Sequence, residues 1–199
     1  MNKIVIIMTL ISFPGFSQVN YQLDVKESQI KWASSYVLGG GHNGIIKLQS
    51  GNILTTDTKS MINGNIVIDM TTIQSTDMKN AESRNDLDKH LKSDDFFSTA
   101  KFPVSHFSMS NIHPAASFST PPQFVVTGLL TIKGITQKIT CKPYIRFEHD
   151  QIRITGTIVI DRTRWDIIYN SASFFADLKD GIISDDIQLE LDLIFSKTD

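Results

Sequence analysis

The chain of 199 residues is 41% hydrophobic and 20% charged, the balance of an ordinary globular domain rather than of a disordered or fibrous protein. Nineteen Lys and Arg against 21 Asp and Glu leave a net charge of −2, which excludes the basic surface of a nucleic-acid binder. A mean hydropathy of −0.07 and the absence of long apolar runs give no sign of a polytopic membrane protein, and the single cysteine excludes an intrachain disulfide framework and a Cys-rich zinc site.

Residues 1–17 read as a secretory signal. Lys3 precedes the apolar run Ile4 to Ile11, and small residues follow at Gly15 and Ser17, the order a signal peptidase requires. The run is too short to span a bilayer as a helix, and no cysteine follows it to carry a lipid, so no stable membrane anchor is expected. The mature domain is then 18–199, periplasmic or secreted.

From there, alternation of period two dominates. Ile30 with Trp32, and Gly44 to Leu48, begin the series. Ile62, Gly64, Ile66, Ile68 and Met70 then share one face. Asn80 to Lys92 breaks the period: Leu87 and Leu91 lie four apart, as do Arg84 and Asp88. This predicts a short surface helix capped by Asn80 or Ser83, with Arg84 and Asp88 paired on its face. Phe102 to Met109 is the next strand, and parity with Phe102 and Val104 turns His106 inward. Pro114 to Pro122 reads as a surface loop. Phe124 to Ile132, Ile139 to Phe147 and Ile152 to Ile160 alternate again. The last strand is the clearest, with Ile187, Leu189, Leu191, Leu193 and Phe195 set against Asp186, Gln188, Glu190 and Asp192. Cys141 falls among these as a buried hydrophobe. One-sided alternation belongs to antiparallel sheets with one wet face. About eight such strands and no internal boundary predict a single all-β barrel or sandwich. A barrel of that size either fills its own interior or holds one small ligand.

Catalytic templates are absent: there is no Gly-x-Ser-x-Gly elbow, His-Glu-x-x-His motif, P-loop or dinucleotide-binding glycine pattern. His42, His90, His106, His113 and His149 are scattered without metal-ligand spacing. Asp177, Asp180, Asp185 and Asp186 form an acidic stretch without EF-hand spacing, read as a solvated loop. A non-catalytic binding protein is therefore favoured, with no cofactor or metal. His42, in the loop Gly39 to Gly44, is a polar candidate for the mouth of a barrel, and His106 either is satisfied in the core or meets a ligand headgroup. Two aromatic groups, Phe96, Phe97, Phe102 and Phe107, then Trp165, Tyr169, Phe174 and Phe175, either fill the interior or line a cavity.

Several strings are more specific. They are Trp32, Gly40-Gly41-His42-Asn43-Gly44, Ile68-Asp69-Met70, His90-Leu91-Lys92-Ser93-Asp94-Asp95-Phe96-Phe97 and Thr127-Gly128-Leu129-Leu130-Thr131-Ile132-Lys133-Gly134-Ile135-Thr136. Asp161-Arg162-Thr163-Arg164-Trp165, Tyr169-Asn170-Ser171 and Ile183-Ser184-Asp185 complete the set. In order and content the chain resembles the YceI-like family of periplasmic polyisoprenoid-binding proteins, over essentially residues 20–196. The resemblance implies an eight-stranded antiparallel lipocalin-like barrel with one short surface helix, whose apolar cavity holds an isoprenoid or comparable lipid as cargo. The residues expected to contact it are Trp32, His42, Arg84, Phe97, Phe102, His106, Trp165, Tyr169 and Asn170. Asp166 stands where relatives commonly carry glycine, and Ser98 where an acidic residue is common. Asp166 at the mouth would repel a pyrophosphate. The expected partner is the lipid alone, compatible with a homodimer and with transient membrane contact. The alternatives are a lipid-modifying enzyme built around His106 and a solid barrel acting as an interaction or stress-response module.

Overall fold

The computed structural model describes residues 18–56, 60–116, 118–174 and 181–198. The signal-like segment 1–17, Phe175, Asp177, Asp180 and the side chain of Ile62 lie outside the described residues. Among the described residues there are ten strands: β1 (Gln18–Leu23), β2 (Gln29–Tyr36), β3 (Gly41–Thr56), β4 (Met61–Ser75), β5 (Val104–Pro114), β6 (Phe124–Ile132), β7 (Ile135–Cys141), β8 (Tyr144–Glu148), β9 (Gln151–Asp161) and β10 (Ile183–Lys197). One helix, α1 (Ala81–Lys92), and a 3-10 turn (Arg162–Trp165) complete the fold.

Every named pairing is antiparallel, in the order β7-β6-β5-β4-β3-β1-β10-β9-β8, and β2 also pairs with both β3 and β10. β1 meets the far half of β3, at Asn52 to Thr56, while β2 meets its near half, at Gly41 to Ile46. The two ends of the order, β7 and β8, are consecutive in the chain, and Gln123 ahead of β6 bridges to Tyr144 of β8. The sheet therefore curls back on itself into a barrel-like wall.

The count is ten rather than eight for two local reasons. Lys142-Pro143 divides the stretch Ile139 to Phe147, because proline has no N–H to donate to a ladder. β1 precedes the first strand read from the pattern, and it buries only Tyr21 and Leu23. β3 is also longer than Gly44 to Leu48. Its register against β4 shifts between Leu48 and Ser50, so the inward set changes from Ile46 and Leu48 to Gly51, Ile53 and Thr55. A one-residue bulge reverses every later side chain, and a fixed-period reading stops there.

The interior has two halves. Tyr21, Ile53, Ile145, Ile152 and Phe195 anchor a packed core at one end. Trp32, Met70, Ile73, Leu91, Phe96, Phe97 and Trp165 belong to a second cluster, and α1 covers that half through Leu87 and Leu91. Asn80 caps the helix by accepting from Ser83 N at 2.9 Å. Asp88 accepts from Ser75 N at 2.6 Å, tying α1 to the end of β4. The expected Arg84–Asp88 pair is therefore replaced: Arg84 Nη1 donates back to Met78 O at 3.4 Å.

Along the barrel, β7 pairs with β6 and β8 with β9, leaving a seam between β7 and β9. The 3-10 turn after β9 docks on β7 at that seam. Gln137 donates to Arg164 O at 2.9 Å, and Arg164 donates to Lys138 O at 3.2 Å. Asp161 caps the turn by accepting from Thr163 N at 3.0 Å. Trp165, with no exposed surface, donates from Nε1 to Leu130 O at 3.1 Å. Behind it, Arg162 is also fully buried. Its guanidinium donates to the carbonyls of Ile167 (2.7 Å), Ser184 (3.0 Å) and Ile183 (3.0 Å), and Asp185 faces it at 3.4 Å. Burial pulls the Arg162 pKa down from its ordinary value, while Asp185 and Asp161 oppose that shift. Cys141 is buried and free, and burial pushes its thiol up to about 11, so it packs as a hydrophobe.

Candidate functional site

The half of the barrel under α1 is hollow. An apolar cavity of about 60 Å³ is walled by Ile30, Ile46, Met70, Ile73, Leu130 and Ile187. Leu91, Phe96 and Phe97 close its α1 side. On the common measure one water needs about 10–15 Å³, so the cavity is narrow but several waters in size. A vestibule of about 250 Å³ adjoins it and shares Trp32, Ser34, Leu91 and Phe96 with it. The vestibule opens between the β2–β3 hairpin, carrying Tyr36 and His42, the α1 residues Leu87 and His90, and the residues Tyr169, Asn170, Gly181 and Ile183. No Lys, Arg, Asp or Glu among the described residues lines either space.

Backbone geometry explains why these side chains converge. Gly44 lets three strands crowd together, since a Cβ there would lie 1.9 Å from Gln74 O and 2.8 Å from Trp32 Nε1. That indole donates to the same Gln74 carbonyl at 3.2 Å, which fixes Trp32 at the neck. Gly39 and Gly40, with φ of 98° and 81°, turn the hairpin so that His42 faces the vestibule. His42 Nδ1 lies 3.0 Å from Asp77 Oδ2 and its ring meets Tyr36 edge-on at 5.9 Å. Partial burial opposes ionisation of Asp77, but hydrogen bonds from His42 and Asn43 N outweigh it and hold the carboxyl below its usual range. Across the opening, Asn170 adopts φ 48° and donates to Gly181 O at 3.3 Å.

The family model of the YceI-like domain matches residues 21–195, from within β1 to near the end of β10. The chain belongs to the YceI-like family. Among curated relatives it resembles UPF0312 proteins from Shewanella denitrificans, 32% identical over 88 residues, 44% of this chain and 41% of that protein, and from Photorhabdus laumondii subsp. laumondii, 36% over 67 residues, 34% and 30%. The matches thus span less than half the length of those relatives. Among solved structures it shares the fold of Burkholderia cenocepacia BcnA, with TM-score 0.68 at 19% identity over 86% of this chain and 98% of that one. A polyisoprenoid binding domain from Saccharophagus degradans has TM-score 0.62 at 14% identity, covering 89% and 98%. Campylobacter jejuni YceI has TM-score 0.54 at 16% identity, covering 100% and 94%.

The strings that mark the YceI-like family do different work. Of the residues expected to contact a lipid, Trp32, His42, Phe97, Tyr169 and Asn170 line the cavity or its vestibule. Arg84 does not: it lies one turn before Leu87 on α1 and reaches back to Met78. Phe102 precedes β5 and sits outside the wall, beside Gly134 and under the Lys101 ammonium at 5.2 Å. Trp165 is core at the seam and lines neither space. His106 is exposed. β5 pairs Phe107 with Ile66 and Ser105 with Ile68, so burial of Phe107 and Met109 sets the inward face and turns His106 to solvent. Asp166 is exposed too, and lines neither space. Its φ of 57° is the left-handed conformation that glycine adopts without cost, and Ser98, at 46°, is a second such position.

Sequence reasoning missed three polar groups. Ser34 Oγ, Ser105 Oγ and His90 Nε2 are buried and without a hydrogen-bond partner. Ser34 and Ser105 line the inner cavity, and Ser34 and His90 line the vestibule. His90 lies in the string His90 to Phe97, whose residue types do not mark it as facing the vestibule. The available signal was its position on α1, three after Leu87 and one before Leu91, on the helix face that meets the barrel.

Proposed function

We propose that this protein binds a long-chain isoprenoid or a similar single-chain amphiphile and carries or stores it without chemical change. The observation that carries the reading is a narrow apolar cavity continuous with a wider, uncharged vestibule, on a fold shared with a polyisoprenoid binding domain. The tail lies among Ile46, Met70, Ile73 and Ile187, and the headgroup stays among Tyr36, His42, His90 and Asn170. Each buried CH₂ contributes about 0.8 kcal/mol, so one five-carbon unit supplies on the order of 3–4 kcal/mol gross, less ordering costs. The narrow cavity favours one chain over a two-chain phospholipid. The packed half of the barrel ends it, so affinity rises with chain length and then levels off. Val37, Leu38 and Phe174 are exposed apolar residues on the segments that frame the vestibule, which suits loading at a membrane surface. The signal-like order of residues 1–17 in the sequence supports exchange outside the cytoplasm.

Organic extraction of the purified protein, followed by mass spectrometry, tests this reading. A single-chain lipid near one equivalent is expected. An empty extract from a protein that also fails to bind prenyl chains in titration would remove it.

A further inference from the structure

The neck between vestibule and inner cavity carries polar atoms that the fold leaves unused. Ser34 lines both spaces and His90 lines the vestibule, and Ser34 Oγ and His90 Nε2 are buried without a partner. The His90 ring is held edge-on by Phe96 at 5.1 Å and Tyr169 at 4.6 Å, so packing rather than hydrogen bonding sets its orientation. Ser105 Oγ, on a residue only 2% exposed, faces the inner cavity and is equally unpaired. An unsatisfied buried polar group is costly, and native proteins rarely leave several at one place. A ligand atom that hydrogen-bonds them recovers that cost.

The same surroundings define what that ligand atom is. Among the described residues no Lys or Arg lines either space, and the carboxylate paired with His42 is that of Asp77. A phosphate or carboxylate entering here would shed its hydration and meet no Lys or Arg among the described lining residues, which is strongly unfavourable. A hydroxyl, carbonyl or amide loses much less water. A hydroxyl is matched on both sides: it can accept from the Ser34 hydroxyl and donate to, or accept from, His90 Nε2 according to the imidazole tautomer. We infer that the cargo is an amphiphile with an uncharged oxygen-bearing headgroup, hydrogen-bonded at the neck by Ser34 and His90. This rests on the lipid-binding reading above and deepens it, since it selects among headgroups that the apolar cavity alone does not distinguish.

Three ligands with one tail test it: farnesol, farnesyl diphosphate and the hydrocarbon farnesene. Each is titrated into the wild-type protein, Ser34→Ala, His90→Phe, His90→Gln and the double variant Ser34→Ala/His90→Phe. Farnesol is expected to bind about tenfold tighter than either other ligand, the effect of one recovered hydrogen bond of roughly 1.4 kcal/mol. Its advantage over farnesene is expected to disappear in the double variant and to survive in His90→Gln, which keeps a hydrogen-bonding group. Diphosphate binding as tight as the alcohol overturns the inference, and so does an alcohol preference unchanged in a double variant that keeps the wild-type circular dichroism. Equal binding of all three ligands also overturns it while leaving the lipid-binding reading intact. If none of the three binds the wild-type protein, both fall together.

Discussion

Replacing Arg162 with methionine is expected to lower folding stability by about 3–5 kcal/mol, the usual cost of removing a fully buried, hydrogen-bonded cation from its partners. For a domain of this size that corresponds to a fall in Tm on the order of 10 °C. Methionine keeps most of the packing, so the loss comes from polar groups. The carbonyls of Ile167, Ile183 and Ser184 lose their donor, and Asp185 loses the cation facing it. Arg162→Lys is expected to recover little, because a single ammonium cannot reproduce the planar fork that reaches three acceptors. The damage also spreads towards the ligand. Ile183 N donates to Asn170 O at 2.9 Å, and both residues border the vestibule. Urea unfolding of the three proteins measures the effect. Arg164→Ala, at an exposed position of the same turn, is the control and is expected to lose far less.

Trp165→Ala is expected to cost a similar amount, about 3–5 kcal/mol, because it empties the seam between β7 and β9 and removes the indole donor to Leu130 O. Trp165→Phe keeps most of the volume and loses one hydrogen bond, so about 1–2 kcal/mol is expected. Neither effect requires ligand, since Trp165 lines neither space. Thermal unfolding of delipidated protein therefore checks the assignment. If Trp165→Ala folded with wild-type stability and failed only in lipid loading, the side chain would belong to the cavity rather than to the seam.

The residues differ in how far their roles were legible in sequence. β10 was the easiest to read, because one uninterrupted parity places Ile187, Leu193 and Phe195 inside. β3 was legible only to Leu48, where a register shift reverses the pattern. His106 was assigned to the wrong face by extending the parity of Phe102, which belongs to the turn before β5 rather than to the strand. Periodicity carries no information across such a boundary. Trp165 and Arg162 were recognisable as a motif, yet their role at the seam depends on the failure of β7 and β9 to pair, a long-range property. The mouth was half visible. The glycines around His42 and the string Tyr169-Asn170-Ser171 marked it, but Ser34 and His90 are ordinary residues whose unpaired atoms matter only where the barrel is hollow.

That division between a hollow half and a packed half makes a direct test available. Methyl-labelled protein, with Ile, Leu and Met observed by NMR, can be titrated with farnesol and followed to saturation. Contacts from the ligand chain to the methyls of Ile46, Met70, Ile73, Leu130 and Ile187, which line the inner cavity, are expected. The methyls of Ile53, Ile145, Ile152 and Leu193 in the packed core are expected to show none. Contacts confined to exposed positions such as Leu129, or no saturable contact at all, would contradict a lipid site inside the barrel.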